Sequence, residues 1–151
     1  MVSGTSSTVI APPPVASVLP QVALINDDQS FRGLDVWQEA MTLVEEIYVQ
    51  SKRFPTDERF GLTSQLRRAA VSVPSNSGEG ARRKRPKMNL HHLNIALGSQ
   101  GELEVQIEIA FRLGYCERAE YERIQARFSR VGRMLNGLIA SVRQRAGESQ
   151  S

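Results

Sequence analysis

The side chains in this sequence whose types and spacing suggest chemistry are cations. Five positive charges fall within six residues in the run Arg82-Arg83-Lys84-Arg85-Pro86-Lys87, and Arg67 and Arg68 precede that run. Residues 67–87 contain one acid, Glu79, so the segment carries a net charge of +6. The phosphate backbone of RNA or DNA is attracted to such a cluster because its binding releases condensed counterions. The alternative is a solvated loop kept open by its own repulsion.

A second basic group follows a helical period. Arg123, Arg127 and Arg130 are spaced by four and three residues, which places them on one face of a helix. Sixteen of the nineteen basic residues are Arg, whose guanidinium binds phosphate or carboxylate through two parallel hydrogen bonds. We predict that both groups contact RNA or DNA, neutralising phosphates without reading bases. The alternative for Arg123, Arg127 and Arg130 is a surface face whose side-chain stems cover apolar edges.

Catalytic and metal-binding patterns are weak. His91 and His92 are adjacent and would point about 100° apart on a helix, so they do not chelate one metal as a pair spaced by four would. Glu104 and Glu108 share a face but lack the Glu-x-x-His partner of a di-metal bundle. Cys116 is the only cysteine and belongs to no thiol motif. We predict a protein that is not an enzyme and that holds no metal or cofactor.

Helical periodicity begins near Phe31 and predicts the first two helices. In the first helix, one stripe steps by three and four through Leu34, Trp37, Met41, Val44, Tyr48 and Ser51. Thr56 or Asp57 is predicted to cap a second helix. That helix would carry Phe60, Leu62, Leu66, Ala69, Ala70 and Val73. Pro74 predicts a kink or stop, with the end of the helix at residues 81–84.

Two longer helices complete the pattern. The third is predicted from about Lys87 to Arg112, and Gly114 is predicted to cap its end. Its inward positions are Leu90, Leu93, Ala96, Leu97, Leu103, Ile107 and Ala110. The fourth shows an unbroken stripe through Tyr121, Ile124, Phe128, Val131, Leu135, Leu138 and Val142. No segment alternates with period two, so the predicted fold is all-α, an antiparallel up-down four-helix bundle.

The N-terminal segment differs from the rest in composition. Residues 1–30 hold four of the seven prolines, several Ser and Thr, and Asp27 and Asp28 as their only charges, so residues 31–151 carry +5 against +3 for the whole chain. This composition predicts a flexible, disordered tail. A signal peptide is the alternative, but residues 1–30 lack the basic residues it requires. The predicted organisation is a tail at 1–30, a bundle at 31–146 and a short disordered C-terminus at 147–151. No apolar run reaches 18 residues, so we predict a cytoplasmic protein without a membrane partner.

Several short motifs resemble one protein family. The central one is Gln65-Leu66-Arg67-Arg68-Ala69-Ala70-Val71-Ser72-Val73-Pro74-Ser75-Asn76, continuing to Glu79-Gly80. Others are Leu34-Asp35-Val36-Trp37-Gln38-Glu39-Ala40, Phe54-Pro55, Phe60-Gly61-Leu62, Gly98-Ser99, Glu102-Leu103 and Leu113-Gly114-Tyr115. Together they resemble the four-helix-bundle proteins first described from intervening sequences of large-subunit ribosomal RNA genes. The likeness covers about residues 31–143.

The resemblance carries expectations of its own. It implies an up-down bundle assembled as a homopentamer, with no accepted active site. The pattern Val131-Gly132-Arg133-Met134-Leu135 is similar to a related branch, the accessory variability determinant proteins of diversity-generating retroelements. That branch implies a nucleic acid and a reverse transcriptase as partners. A protein-interaction scaffold with incidental nucleic-acid affinity is the alternative function.

Two departures and one small residue add local expectations. Ser77-Gly78 replaces an apolar pair usual in the family and should loosen the end of the second helix. Gln100-Gly101 replaces a more helix-favouring pair, which indicates a weak point or a close contact. Gly132 indicates either the close approach of a helix or subunit, or a tolerated surface glycine.

Overall fold

The computed structural model describes residues 35–82 and 85–150, which form four α-helices and no strand in those ranges. The helices are α1 Asp35–Ser51, α2 Leu62–Arg82, α3 Pro86–Arg112 and α4 Arg118–Gln150. α2 packs between α1 and α3, and α4 closes the bundle against α3 and α1. The predicted all-α four-helix bundle is confirmed. The predicted tail, residues 1–30, lies outside the described residues.

The stripe predicted for α4 forms the centre of the core. Ile124, Phe128, Val131 and Leu135 are fully buried, and Val142 is nearly so. α3 faces them with Leu93, Ala96, Leu103, Ile107 and Ala110, which are all fully buried. Each fully buried Leu, Ile or Phe contributes roughly 1.5–3 kcal/mol through the hydrophobic effect. The stripes of α3 and α4 therefore hold the bundle together, as the sequence predicted.

The buried face of α1 differs from the prediction by one position in register. The structure buries the stripe Val36, Ala40, Leu43, Ile47 and Gln50, and of the predicted stripe it buries Ser51. The predicted Leu34 lies outside the described residues. The predicted residues Trp37, Met41 and Val44 lie one step round the helix, half-buried at the edge facing α2. Two neighbouring stripes of α1 are both apolar, and the fully buried Ala40 permits closer packing than a Trp would.

α2 begins later than predicted. Thr56 and Asp57 form a separate 3-10 turn with Glu58, and Phe60 is 87% exposed before the helix starts at Leu62. Glu58 supplies the capping oxygen: its Oε1 accepts a hydrogen bond from the Leu62 backbone N–H at 3.0 Å. Its Oε2 accepts one from the Tyr115 hydroxyl at 3.0 Å. Glu58 therefore joins the α1–α2 connection to the α3–α4 connection.

α2 continues through Pro74 and ends at Arg82, within the predicted range. A stop at Pro74 is therefore wrong. Ser77, which replaces an apolar residue usual in the family, is buried. Its hydroxyl is satisfied there because it donates a hydrogen bond to the Val73 carbonyl at 2.7 Å. Since the helix is continuous, Arg67 and Arg82 are separated by about 22 Å along its axis, at 1.5 Å per residue.

The ends of α3 and α4 show one agreement and one difference. Gly114 has φ +81°, the Gly114 N–H bonds the Phe111 carbonyl at 3.0 Å, and the Tyr115 N–H bonds the Ala110 carbonyl at 2.8 Å. This is a Schellman cap, so the predicted role of Gly114 is confirmed. α4 extends to Gln150, four residues past the predicted bundle end, because no residue after 146 forbids a helix.

The close contact indicated at Gln100 is present. The Gln100 side chain is buried, and its Nε2 donates to the Phe128 carbonyl of α4 at 2.9 Å. A Cβ at Gly132 would lie 3.2 Å from Gln100 Oε1. Gly132 therefore marks the point where α3 and α4 approach each other closely, and this contact fixes the register between the two helices.

Candidate nucleic-acid interface

The basic run lies at the junction of α2 and α3. Arg82 is the last residue of α2, Arg85 is the N-cap of α3, and Lys87 is in the first turn of α3. Arg83 and Lys84 lie outside the described residues. Arg85 and Lys87 are exposed, and within the described part of the chain neither pairs with a carboxylate.

The start of α3 adds to the positive potential of the junction. A helix N-terminus carries roughly half a positive charge on its free N–H groups. The first turn of α3 contains no acid, and Arg85 offers no side-chain cap to those groups. The dipole and the cations therefore act together on any anion that approaches the junction.

The structure adds two cations that the sequence reasoning did not assign to this site. Gln100 lies level with residues 128–132 of the antiparallel helix α4. Thirteen residues toward the start of α3 is Lys87, and thirteen residues beyond Arg130 is Arg143. Arg143 and Arg145, both exposed, therefore lie at the same end of the bundle as the run. We call Arg85 and Lys87, together with Arg143 and Arg145, the basic end.

The arginines of α4 occupy the interface with α1, where they meet two acids. Arg127 Nη1 lies 2.5 Å from Glu39 Oε2, and Arg127 Nε forms an ion pair with Glu46. Arg130 Nε is 3.3 Å from Glu39 Oε1. Arg123 Nε is 3.9 Å from Glu46 Oε2. The predicted common face is present, but each guanidinium on it already faces a carboxylate of α1.

The three arginines differ in how much of their side-chain surface is exposed to solvent. The side chain of Arg127 is 27% exposed, against 61% for Arg123 and 62% for Arg130. Arg127 lies between Glu39 and Glu46, so its positive charge is neutralised by these two carboxylates within the fold. Arg123 and Arg130 keep most of their surface in solvent, and nucleic-acid contact by them stays a prediction.

Arg67 and Arg68 lie about 22 Å from the basic run, toward the opposite end of α2. Arg67 Nε donates to Ser51 Oγ at 2.8 Å, and its guanidinium lies 4.7 Å from the centre of the Tyr48 ring. Arg68 Nη2 donates to Ser64 Oγ at 3.2 Å. The structure therefore does not bring these two residues together with Arg82, Arg85 or Lys87, and their binding role stays a prediction.

The groups considered for catalysis are engaged in local contacts. His92 Nδ1 is 3.1 Å from Asn76 Oδ1, and Glu104 accepts a hydrogen bond from Gln100. Burial raises the pKa of the Cys116 thiol, with a smaller effect of Glu120 in the same direction. Within residues 35–82 and 85–150, no group of three or more His, Cys, Asp or Glu side chains is placed to hold a metal ion. None of the helices described is both long and apolar enough to span a membrane.

Comparison with known proteins places this bundle in a family. The sequence profile of the 23S rRNA-intervening sequence proteins matches residues 32–137. The chain belongs to the 23S rRNA-intervening sequence protein family. The resemblance seen in the motifs is thereby confirmed for the family, and the profile covers α1, α2 and α3 in full and α4 as far as residue 137.

A solved structure agrees with this membership at the level of the fold. It is a protein of unknown function from the S23 ribosomal protein family of Bacteroides thetaiotaomicron, with a TM-score of 0.65 and 24% sequence identity. The match covers 70% of this chain and 95% of that one. No curated protein matches this chain.

Proposed function

We propose that this intervening sequence protein is a non-enzymatic, cytoplasmic bundle that binds RNA or DNA through its basic end. The observation that carries the proposal is the junction of α2 and α3. There, the exposed Arg85 and Lys87 have no carboxylate partner among the described residues and flank an uncapped helix start. The rRNA-related family name supports RNA as the first polyanion to test.

The basic end is favoured over the arginines of α4 by the cost of freeing each charge. A phosphate that binds Arg127 must replace Glu39 and Glu46, which would leave Glu39 with Arg130 alone and Glu46 with the more distant Arg123 alone. A phosphate at Arg85 or Lys87 replaces only water and counterions. Release of condensed counterions therefore makes the free energy of nucleic-acid binding clearly favourable at the basic end and contributes little at Arg127.

The test is binding of a labelled RNA duplex at several salt concentrations. Each phosphate contact contributes about −0.9 to the slope of log K against log salt concentration. Arg85→Gln with Lys87→Gln should reduce the magnitude of the slope by about 1.8 and, by the same relation, weaken binding roughly 60-fold near 0.1 M salt. The matched control is Lys52→Gln with Arg59→Gln. It removes the same charge from exposed residues at the opposite end of the bundle.

Three results are informative. A loss confined to Arg85→Gln with Lys87→Gln supports the basic end. Equal losses in both double variants would show that affinity follows net charge alone. If the unaltered protein does not bind at low salt, the proposal fails, and a protein-interaction scaffold becomes the better reading.

The family resemblance supports a finer proposal about assembly and partners. We propose self-association, with a homopentamer as the expected form, and a role as accessory factor to a reverse transcriptase. Native mass measurement tests the assembly. Co-purification with a reverse transcriptase encoded beside the gene, with and without nuclease treatment, tests the partner and shows whether nucleic acid bridges the two.

A further inference from the structure

A row of polar side chains runs along the contact between α2 and α3. Ser99 Oγ of α3 donates a hydrogen bond to Ser72 Oγ of α2 at 2.7 Å, and Ser99 is 8% exposed. One turn nearer the basic end, His92 Nδ1 of α3 lies 3.1 Å from Asn76 Oδ1 of α2. At these two levels, a hydrogen bond between side chains joins the two helices.

Two further levels lie on the side of the serine pair away from the basic end, and both are open. Because α2 and α3 are antiparallel, one turn back along α2 is matched by about one turn forward along α3. That register sets Arg68 level with Glu102, and Gln65 level with Gln106. Within the described part of the chain, no hydrogen bond or ion pair joins either pair. A cleft of about 370 Å³ lies between them, and we call it the α2–α3 cleft.

The α2 wall of the cleft presents hydrogen-bond donors. Arg68 uses one N–H group on Ser64 Oγ, at 3.2 Å from Nη2, so most of its five guanidinium donors remain. Ser72 Oγ accepts hydrogen bonds from Ser99 Oγ at 2.7 Å and from Asn76 Nδ2 at 3.1 Å. A hydroxyl oxygen has two lone pairs, so the Ser72 proton is the group left to bond. Arg68 and Ser72 are four residues apart, and both line the cleft.

The α3 wall presents hydrogen-bond acceptors. Glu102 and Gln106 are also four residues apart, so they share one face of α3, and both line the cleft. Glu102 is exposed and pairs with no cation among the described residues. Gln106 Oε1 is buried and accepts no hydrogen bond from those residues. A buried acceptor without a donor is destabilising, so this oxygen favours an occupant that brings an N–H group.

A small zwitterion has the chemistry that satisfies both walls. A guanidinium binds a carboxylate through two parallel hydrogen bonds, and an ammonium carries three N–H donors. Packed helices lie about 8–10 Å apart, which suits charges joined through one carbon atom better than charges at the ends of a long chain. We propose that the α2–α3 cleft binds a free α-amino acid. Its carboxylate bonds Arg68 and Ser72, and its ammonium bonds Glu102 and Gln106 Oε1.

Titration of the isotope-labelled protein with glycine, L-alanine and L-glutamine, one at a time and followed by NMR, tests the site. At least one of them should saturably shift the signals of Ser72, Ser99 and the Gln106 side-chain amide. Acetate and methylammonium each carry one of the two charges, so each should bind about tenfold more weakly or worse. If none of the three amino acids shifts these signals, the proposal is wrong. If acetate binds as tightly as the amino acids do, the cleft is a simple anion site and the proposal is also wrong.

Substitutions on each wall test the assigned contacts. Arg68→Gln and Glu102→Gln each remove one charge and should weaken amino-acid binding by about tenfold or more. The matched controls are Arg133→Gln on α4 and Glu45→Gln on α1, because both residues are exposed and lie outside the cleft. Gln106→Met removes the unpaired oxygen at similar volume. It should weaken binding and yet raise the midpoint of urea unfolding, a combination that a purely structural role does not produce.

Nucleic-acid binding provides a separate readout, because the proposed amino-acid site does not depend on the basic end. Arg68→Gln should leave the affinity for labelled RNA unchanged. If it lowers RNA affinity and leaves amino-acid affinity intact, Arg68 belongs to a nucleic-acid interface and the proposal is wrong. Equal amino-acid affinities of Arg68→Gln and Arg133→Gln would overturn it as well. Helix content by circular dichroism verifies that each variant folds.

Discussion

Replacing Arg127 separates a structural role from a nucleic-acid-binding role. In Arg127→Met the side chain keeps its apolar length and loses its charge. Glu39 and Glu46 lie two turns apart on α1, and both then face α4 without the Arg127 guanidinium between them, with side chains 19% and 18% exposed. Both carboxylate oxygens of Glu46 are buried, and neither accepts a hydrogen bond of good geometry. The remaining cation near Glu46 is Arg123, at 3.9 Å.

The structure sets the size of the effect between two limits. Fully exposed ion pairs contribute about 0.2–1 kcal/mol, and removing one partner of a fully buried pair costs about 3–5 kcal/mol. Arg127 is 27% exposed and serves two carboxylates, so we expect a destabilisation of about 2 kcal/mol. For a bundle of this size, that lowers the melting temperature by roughly 8 °C.

The assay is a double-mutant cycle by chemical denaturation, with Arg127→Met, Glu46→Gln and their combination. Glu46→Gln removes the unpaired charge, so the combined variant should recover about 1 kcal/mol relative to the sum of the two single effects. Arg123→Met, at a 61% exposed side chain, is the control and should cost under about 0.5 kcal/mol. RNA affinity of folded Arg127→Met should match that of the unaltered protein. A stable Arg127→Met that has lost RNA binding would refute this reasoning.

Two further predictions concern the connections at the end of the bundle opposite the basic end. Gly61→Ala places a Cβ 2.8 Å from Glu58 Oε1, so it should displace the carboxylate that caps α2 and lower the free energy of urea unfolding by about 1 kcal/mol. The control is Gly137→Ala, which has open space around it and should stabilise the fold by up to about 1 kcal/mol. The opposite ranking of the two variants would contradict the capping role of Glu58. The hydrogen bond to Glu58, with burial, raises the pKa of Tyr115 above its ordinary 10.0, so this bond stabilises the fold below pH 10 and is lost as the pH rises through the raised pKa. Tyr115→Phe should therefore be less stable at pH 7, with a difference that shrinks in strongly alkaline buffer, and a difference that grows with pH would exclude this account.

The sequence predicted the elements in which one stripe dominates. On α4 the predicted Ile124, Phe128, Val131, Leu135 and Val142 are buried because a single face is apolar along most of the helix, whereas Leu138 is half-buried and its neighbour Ile139 is buried instead. Gly114 was predictable as a cap because few other residues adopt a positive φ at low cost. On α1 the stripes through Trp37 and through Val36 are both apolar, and only packing against α2 and α4 decides between them.

The candidate site was less predictable, because charge alone does not show what a side chain faces. Arg123, Arg127 and Arg130 were correctly placed on one face, but Glu39 and Glu46 lie more than 75 residues away in sequence and meet them only in the bundle. The prediction grouped Arg67 with Arg82 in one site, but a continuous helix separates the two residues. Arg143 joins the basic end through the register that Gln100 and Gly132 set between α3 and α4, which no charge pattern encodes.

The proposed self-association and the basic end are linked by multivalency. If several copies associate, several copies of Arg85 and Lys87 can contact one polyanion together. The salt slope measured at a protein concentration where native mass shows an oligomer should then exceed the slope measured where native mass shows the monomer. Equal slopes would mean that each basic end acts alone.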